Sequence, residues 1–276
     1  MNVLVATDGS KYGRWGLDWI ARLPLMTLPR VTVLHVLEIS EYRSAFYSQR
    51  EIQRVEARTA KILKEATQRL AVLKLKGAVR KAQGAVASVI LKAAPKRDGL
   101  LVVGSRGLDA LDRFLFGSVS TNLIHHATCP VLVVKGEAAP LQRIVLAIDG
   151  SPGSAKALEF VLTKFQPNRP PGKGVQAPIH VSVVHVMPFM KYPELKEAGR
   201  SLVEQSVRKL VKVGFTAEPL CQIGNCAEEI MKGAERRDAD LIVMGAKGMA
   251  AIGRIFLGSV STRVVQHANC AVLVVR

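Results

Sequence analysis

Two stretches of this chain place glycines and serines at a spacing suited to holding an anion. In the first, Gly104 and Gly107 are separated by two residues, nine residues follow, and Gly117 then precedes Ser118, Val119, Ser120 and Thr121. The same arrangement returns 141 residues later as Gly245, Gly248 and Gly258, followed by Ser259, Val260, Ser261 and Thr262. Glycine lets backbone N–H groups turn toward a ligand with no Cβ in the way, and it admits positive φ. The third glycine of each set stands where a helix is expected to begin, and the unpaired amides and the dipole there favour negative charge. The hydroxyls of Ser118 and Ser120, and of Ser259 and Ser261, add donors beside those amides. The chemistry implied is a phosphate cradle built mostly from backbone. A glycine that ends a strand and a serine that caps a helix would account for one such stretch. Retention of every glycine and of the Ser-Val-Ser-Thr run in both copies, while the nine residues between diverge, favours the cradle.

The elements that must position these residues are also doubled. Residues 104–134 and 245–275 share 16 identities in 31 positions, against about two for unrelated segments, which marks an internal duplication. Each glycine set follows a short apolar run, Leu100 to Val103 or Leu241 to Met244, of the kind that reads as a buried strand. Upstream, Asn2 to Thr7 is a strand ending in Asp8-Gly9-Ser10, and Ser10 can cap a helix carrying Trp15, Trp19 and Ile20. Val31 to Leu37 is the second strand. A polar loop, Glu38 to Gln49, leads into a helix over about Glu51 to Lys74 whose buried face is traced by Ile52, Val55, Ile62, Leu63 and Leu70. Ala78 to Gly84 suits an edge strand, with Arg80 and Lys81, and Pro130 to Val134 is the fifth strand. This βαβαβαβαβ order requires parallel pairing through right-handed crossovers.

After a short linker, Lys135 to Gln142, the second copy restarts at Ile144 to Ile148 and Asp149-Gly150-Ser151. A longer Pro-, Gly- and Lys-containing loop, Gln166 to Pro178, is its main departure. Two domains are therefore expected, 1–138 and 139–276, each with its own core.

Composition narrows the function. No run approaches the roughly 18–20 apolar residues of a membrane helix. The opening MNVLVATDGS reads as strand and loop, not as a secretory leader. Cys129, Cys221, Cys226 and Cys270 form no Cys-xx-Cys pair and read as reduced thiols of a cytoplasmic protein. The net charge of +17 would draw in nucleotides, nucleic acid or acidic partners. It is dispersed: residues 1–140 hold 21 basic and 11 acidic side chains, residues 141–276 hold 18 and 11, and aromatics are 5%. That pattern argues against a dedicated nucleic-acid surface and for a field that concentrates a phosphorylated ligand. The chain carries no Gly-x-Ser-x-Gly elbow, His-Glu-x-x-His, Walker Gly-x-x-x-x-Gly-Lys or Gly-x-Gly-x-x-Gly. His35 and His185 end strands and read as a polar rim; no Asp or Glu cluster offers a metal site, so Mg2+ would arrive with the phosphates.

An Asp at the end of strand one, His-Val at the end of strand two, and the glycine pattern after strand four together resemble the universal stress protein family in its nucleotide-binding branch, once per half. The resemblance implies two tandem flavodoxin-like α/β domains, of the adenine nucleotide alpha hydrolase-like kind. Each would have a five-stranded parallel sheet in order 3-2-1-4-5 and a ligand at the switch point. It implies pairing of the two domains through their fifth strands as an intramolecular pseudo-dimer, and it admits a further homodimer. It assigns Asp8 and Val36 to the adenine and ribose of ATP, ADP or AMP, and Gly104, Gly107, Gly117, Ser118, Val119 and Ser120 to the phosphates. In the second half the matching residues are Asp149, Val186, Gly245, Gly248, Gly258, Ser259, Val260 and Ser261. Arg106 and Lys247, between the first two glycines, could neutralise phosphate charge. Arg113 and Arg254 are also shared, as loop or ligand residues. The halves differ around Gly13 and Trp15, the second having Ser154 in place of Gly13, which puts equal affinity in doubt. The expected function is nucleotide binding in a stress response, with little or slow hydrolysis. The alternative is an interaction scaffold whose basic surface engages nucleic acid or acidic partners.

Overall fold

A computed structural model describes residues 1–38, 48–96, 98–107, 117–167, 178–187, 193–248 and 257–276. Arg113, Arg254 and most of the loops at 38–49 and 166–178 lie outside the described residues. The chain divides into two compact units, Met1–Ala21 with Leu28–Glu137, and Arg22–Thr27 with Ala138–Arg276.

In the first unit the order is β1 Asn2–Ala6, α1 Lys11–Arg22, β2 Arg30–Leu37, α2 Gln49–Val72, β3 Gly77–Gln83, α3 Val86–Ala93, β4 Gly99–Gly104, α4 Ser118–His126 and β5 Val131–Val134. Its strands run in the order β3-β2-β1-β4-β5, all parallel. In the second unit the order is β6 Arg143–Ala147, α5 Pro152–Lys164, β7 His180–Met187, α6 Pro193–Lys212, β8 Thr216–Ile223, α7 Cys226–Glu235, β9 Leu241–Gly245, α8 Ser259–His267 and β10 Ala271–Val275. There the parallel order is β8-β7-β6-β9-β10. Each unit has the parallel pairing expected from the residues and the flavodoxin-like strand order that the family resemblance implies.

The apolar runs are continuous because helices cover both faces of the sheet. Leu100, Leu101 and Val102 of β4, and Val131 to Val134 of β5, are fully buried. Gly16 brings α1 against this layer: a Cβ there would lie 3.1 Å from Val5 Cγ1 and 3.3 Å from Val102 Cγ1. The strand β3 is largely exposed, as Arg80 and Lys81 suggest. Its counterpart β8 carries Pro219, opposite Val183, which removes one ladder donor. The helix α2 starts two residues before its expected position. Ser48 and Glu51 form a capping box there, Ser48 accepting from the Glu51 amide while Glu51 accepts from the Ser48 amide at 2.8 Å.

Candidate functional site

Both sites are assembled at the C-terminal ends of the central strands. The loop after β1 is held by its own residues. Gly9 has φ +83°, and a Cβ on it would lie 2.6 Å from Ile62 Cγ1. Asp8 Oδ1 accepts from the Ser10 amide at 2.9 Å, and Ser10 Oγ accepts from the Gly13 amide at 3.2 Å, capping α1. The second unit repeats this with Gly150 at φ +82°, Asp149 accepting from Ser151 N at 3.0 Å, and Ser151 accepting from Ser154 N at 3.2 Å. The aspartate is thus a turn former, and it does more than form a turn. Its second oxygen faces the glycine loop: a Cβ on Gly107 would lie 2.9 Å from Asp8 Oδ2, and one on Gly248 2.5 Å from Asp149 Oδ2.

The three glycines of each set prove to be glycine for different reasons. A Cβ on Gly104 would lie 2.6 Å from Tyr12 Cβ, and one on Gly245 would run into the carbonyl carbon of Gly153. The first glycine is therefore demanded by the helix leaning on the strand end, and the second by the aspartate. The third is demanded by neither. Gly117 and Gly258 have ordinary φ values of −64° and −67°, and the nearest atoms to an added Cβ would be 3.6 Å and 3.4 Å away. Each is the N-cap of its helix and supplies no side-chain cap, whereas Ser48, Ser151 and Asn225 cap their helices through their side chains. The first-turn amides of Ser118, Val119 and Ser120, and of Ser259, Val260 and Ser261, are the donors that an α-helix cannot satisfy from within.

Hydroxyl use differs from expectation. Ser120 Oγ donates to the Gly104 carbonyl at 2.7 Å, and Ser261 Oγ lies 2.9 Å from the Ala246 carbonyl. Both serines are buried, so their hydroxyl protons lock the loop and are not offered to a ligand. Ser118 and Ser259 remain exposed at the helix start. The Gly117 and Gly258 amides are likewise spent, donating to the Ser105 and Ala246 carbonyls at 3.0 and 2.8 Å and closing each loop on itself. Arg106 donates from Nη1 to the Tyr12 hydroxyl at 3.2 Å. The Lys247 backbone carbonyl lies 3.2 Å from Ser151 Oγ.

Val36 and Val186 lie at the ends of β2 and β7, one strand over from Asp8 and Asp149. In the second unit the Val186 carbonyl accepts from Cys226 Sγ at 3.8 Å; burial pushes the Cys226 thiol pKa up, and the Asp149 charge adds to the rise. Sequence reasoning missed the role of the strand-end histidines. His35 Nδ1 lies 2.8 Å from the Thr7 carbonyl and His185 Nδ1 2.9 Å from the Ile148 carbonyl. A carbonyl only accepts, so each Nδ1 carries the proton and ties the second strand to the loop after the first. Repetition of the histidine in both halves was the available signal. A hollow of about 20 Å³ behind the first loop, lined by Thr7, Gly9, Gly13 and Ile62 among others, has room for a water and not for a nucleotide. Among the described residues no three His, Cys, Asp or Glu side chains gather to hold a metal.

Fold and site define a tandem α/β protein with a glycine-lined loop and an open helix start at the strand ends of each half. The universal stress protein family model matches residues 1–135 and 140–276, and the chain belongs to that family. A universal stress protein of Mycolicibacterium smegmatis is 29% identical over 288 residues, covering 99% of this chain and 96% of that one. The crystal structure of a universal stress protein from Archaeoglobus fulgidus covers 100% of this chain and 96% of its own, with a TM-score of 0.74 at 21% identity, and shows the same fold. An Arabidopsis thaliana protein of the family, solved with AMP bound, covers 49% of this chain and 90% of its own, with a TM-score of 0.36 at 21% identity.

Proposed function

We propose that this protein binds an adenine nucleotide, ATP or its di- or monophosphate, in the cradle of each unit and acts in a stress response as a nucleotide-dependent regulator with little or slow hydrolysis. Gly117 and Gly258 carry this reading. Neither packing nor backbone conformation requires glycine there, and Ser, Thr, Asp or Asn would cap the helix better. A capping side chain would occupy the amides that a phosphate needs, and a glycine leaves the approach open. Asp8 and Val36, with Asp149 and Val186, would take the nucleoside side from the neighbouring strand ends. Mg2+ would be carried by the phosphates. Among the described residues no helix is long and apolar enough to cross a membrane, and a reducing cytoplasm suits the four thiols.

Calorimetry on Gly117→Val combined with Gly258→Val tests the assignment. ATP binding should be lost while the thermal unfolding transition persists, because charge-assisted hydrogen bonds of about 1.5–3 kcal/mol each are removed at both helix starts. Unchanged affinity in the folded double variant would reject it. The net charge of +17 favours one second reading, an interaction scaffold for nucleic acid or acidic partners. Its signature is duplex binding with a steep salt dependence and no thermal shift on adding ATP.

A further inference from the structure

The helix and edge strand that follow the second strand of each unit can be compared place by place. Ile62 backs Gly9 and Leu202 backs Gly150. The Leu75 and Phe215 amides donate to the Leu70 and Leu210 carbonyls at 3.0 and 3.1 Å, and Gly84 and Gly224, just past the edge strands, both have positive φ. Residues 53–84 and 193–224 therefore fill equivalent places, and they differ in charge. The first span holds nine basic and two acidic side chains, the second five and four. Of the surplus of ten cations in residues 1–140, seven lie on this one helix, its turn and its edge strand. Charge that is dispersed between the halves is concentrated within the first. Arg50, Arg54, Arg58, Lys61 and Lys64 recur every three or four residues of α2, which sets them in one stripe, and all five are exposed. Thr59, Ile62, Ala66 and Leu70 form the buried side of the same helix. Because α2 packs on β2 and β3, the exposed cations of the turn and edge strand, Lys74, Lys76, Arg80 and Lys81, share its flank of the unit.

The carboxylates of α2 are engaged or turned away. Glu51 is held in the capping box, 2.8 Å from the Ser48 amide and 2.7 Å from its Oγ. Glu65 sits between Arg14 and Lys61 at 3.8 and 4.0 Å. Glu56, two residues from both Arg54 and Arg58, falls on another side of the helix. Arg50, Arg58 and Lys64 form no ion pair among the described residues. The second unit balances its charges instead, Glu204 against Arg208 at 3.8 Å on α6 and Glu218 of β8 against Arg237 at 2.7 Å. We propose that the exposed face of α2, with the turn and edge strand beside it, is a docking surface for an acidic polypeptide segment. This deepens the charge-based reading above by naming its place and its class of partner, and it draws nothing from the cradles. Residues four apart on a helix stand about 6 Å apart along its axis, and alternate side chains of an extended chain about 6.6 Å apart. An extended segment with an acid at every second residue thus meets the stripe charge for charge. Residues 49–84 contain no Phe, Tyr or Trp, so unpaired bases would find no ring to stack on.

The experiment follows the fluorescence anisotropy of a labelled peptide of about 8 residues alternating Glu and Thr, long enough to span the stripe at about 3.3 Å per residue. It is titrated with the full chain at about 0.05 M salt, where screening is weak. Arg54→Glu with Arg58→Glu reverses two cations of the stripe. Lys196→Glu with Arg200→Glu reverses two exposed cations at the same spacing on α6 and makes the same change in net charge. The peptide should bind the unaltered protein, about tenfold more weakly after the α2 reversal and less than threefold more weakly after the α6 reversal. A peptide alternating Gln and Thr should not bind. Arg54→Gln with Arg58→Gln, milder at the same positions, should weaken binding in the same order and covers the case in which the reversal unfolds α2. Equal losses in the α2 and α6 variants would mean that only net charge matters, and would overturn the docking face. So would no peptide binding by the unaltered protein. Duplex DNA bound more tightly than the peptide, and lost with the same α2 variants, would make the face a nucleic-acid surface and overturn the polypeptide while leaving the charge reading. ATP titrated into the same samples should change little in affinity, and a failure to bind ATP would remove the nucleotide reading and leave the docking face standing.

Discussion

Single residues in the two cradles have separable duties, and this separation can be measured. Gly245→Ala forces a methyl into the backbone of Gly153 at the start of α5, an overpacking that neither rotamer change nor solvent can relieve. The expected cost is about 1–3 kcal/mol of stability, read as an earlier urea midpoint. Gly258→Ala places its methyl 3.4 Å from Ser261 Oγ and 3.5 Å from the Ala246 carbonyl. Its unfolding midpoint should match the unaltered protein within about 0.5 kcal/mol, while its ATP affinity at the second site falls. If the two alanine variants unfold alike, the distinction between packing glycines and ligand glycines is wrong.

Among the elements, the edge strand β8 is anchored by one carboxylate. Glu218 accepts from Arg237 Nε at 2.7 Å and from Ser182 Oγ at 2.8 Å, joining β8 to β7 and to the residues after α7. The Arg237 hydrogen bond holds the Glu218 pKa below its ordinary value; Ser182 and the Arg237 and His180 charges add to the fall, and burial opposes it. A carboxyl depressed in the folded state stabilises the protein above its unfolded pKa, near 4.5, and loses that contribution as pH falls through the lower folded value. Glu218→Gln should therefore lower the urea midpoint at pH 7 and leave less of a difference at pH 3. The pair is partly exposed, so the effect at pH 7 should stay below about 1 kcal/mol. A difference that does not shrink in acid would assign the effect to packing instead.

At the scale of the whole molecule, charge is the quantity that matters. A net +17 spread over both halves places any ATP-sized anion in an attractive field. Screening shortens that field from about 10 Å at 0.1 M salt to about 3 Å at 1 M. ATP affinity should accordingly weaken by about tenfold between 0.05 and 0.5 M salt, and AMP affinity by less, in equilibrium titrations. A flat response would show that the dispersed charge serves neither ligand.

Much of this architecture was legible in the chain. The duplication, the strand runs, the parallel order and the glycine spacing are local or periodic features, and burial on both sheet faces leaves the continuous apolar signature of β4 and β5. The capping box at Ser48 and Glu51 is legible too, as a Ser-x-x-Glu signal that lies just ahead of the apolar pattern marking the helix. Spacing alone did not reveal why each glycine is a glycine. That depends on the helix wall at Tyr12 or Gly153 and on an aspartate about a hundred residues away in sequence. Nor did it reveal that Ser120 and Ser261 spend their hydroxyls on backbone, that His35 and His185 each brace the loop after the first strand of their own unit, or that Arg106 meets Tyr12 across 94 positions. Short-range propensity writes elements and repeats into a sequence. Which side chains meet at the strand ends is decided by helices packing on the sheet, and only the tertiary structure contains that distance.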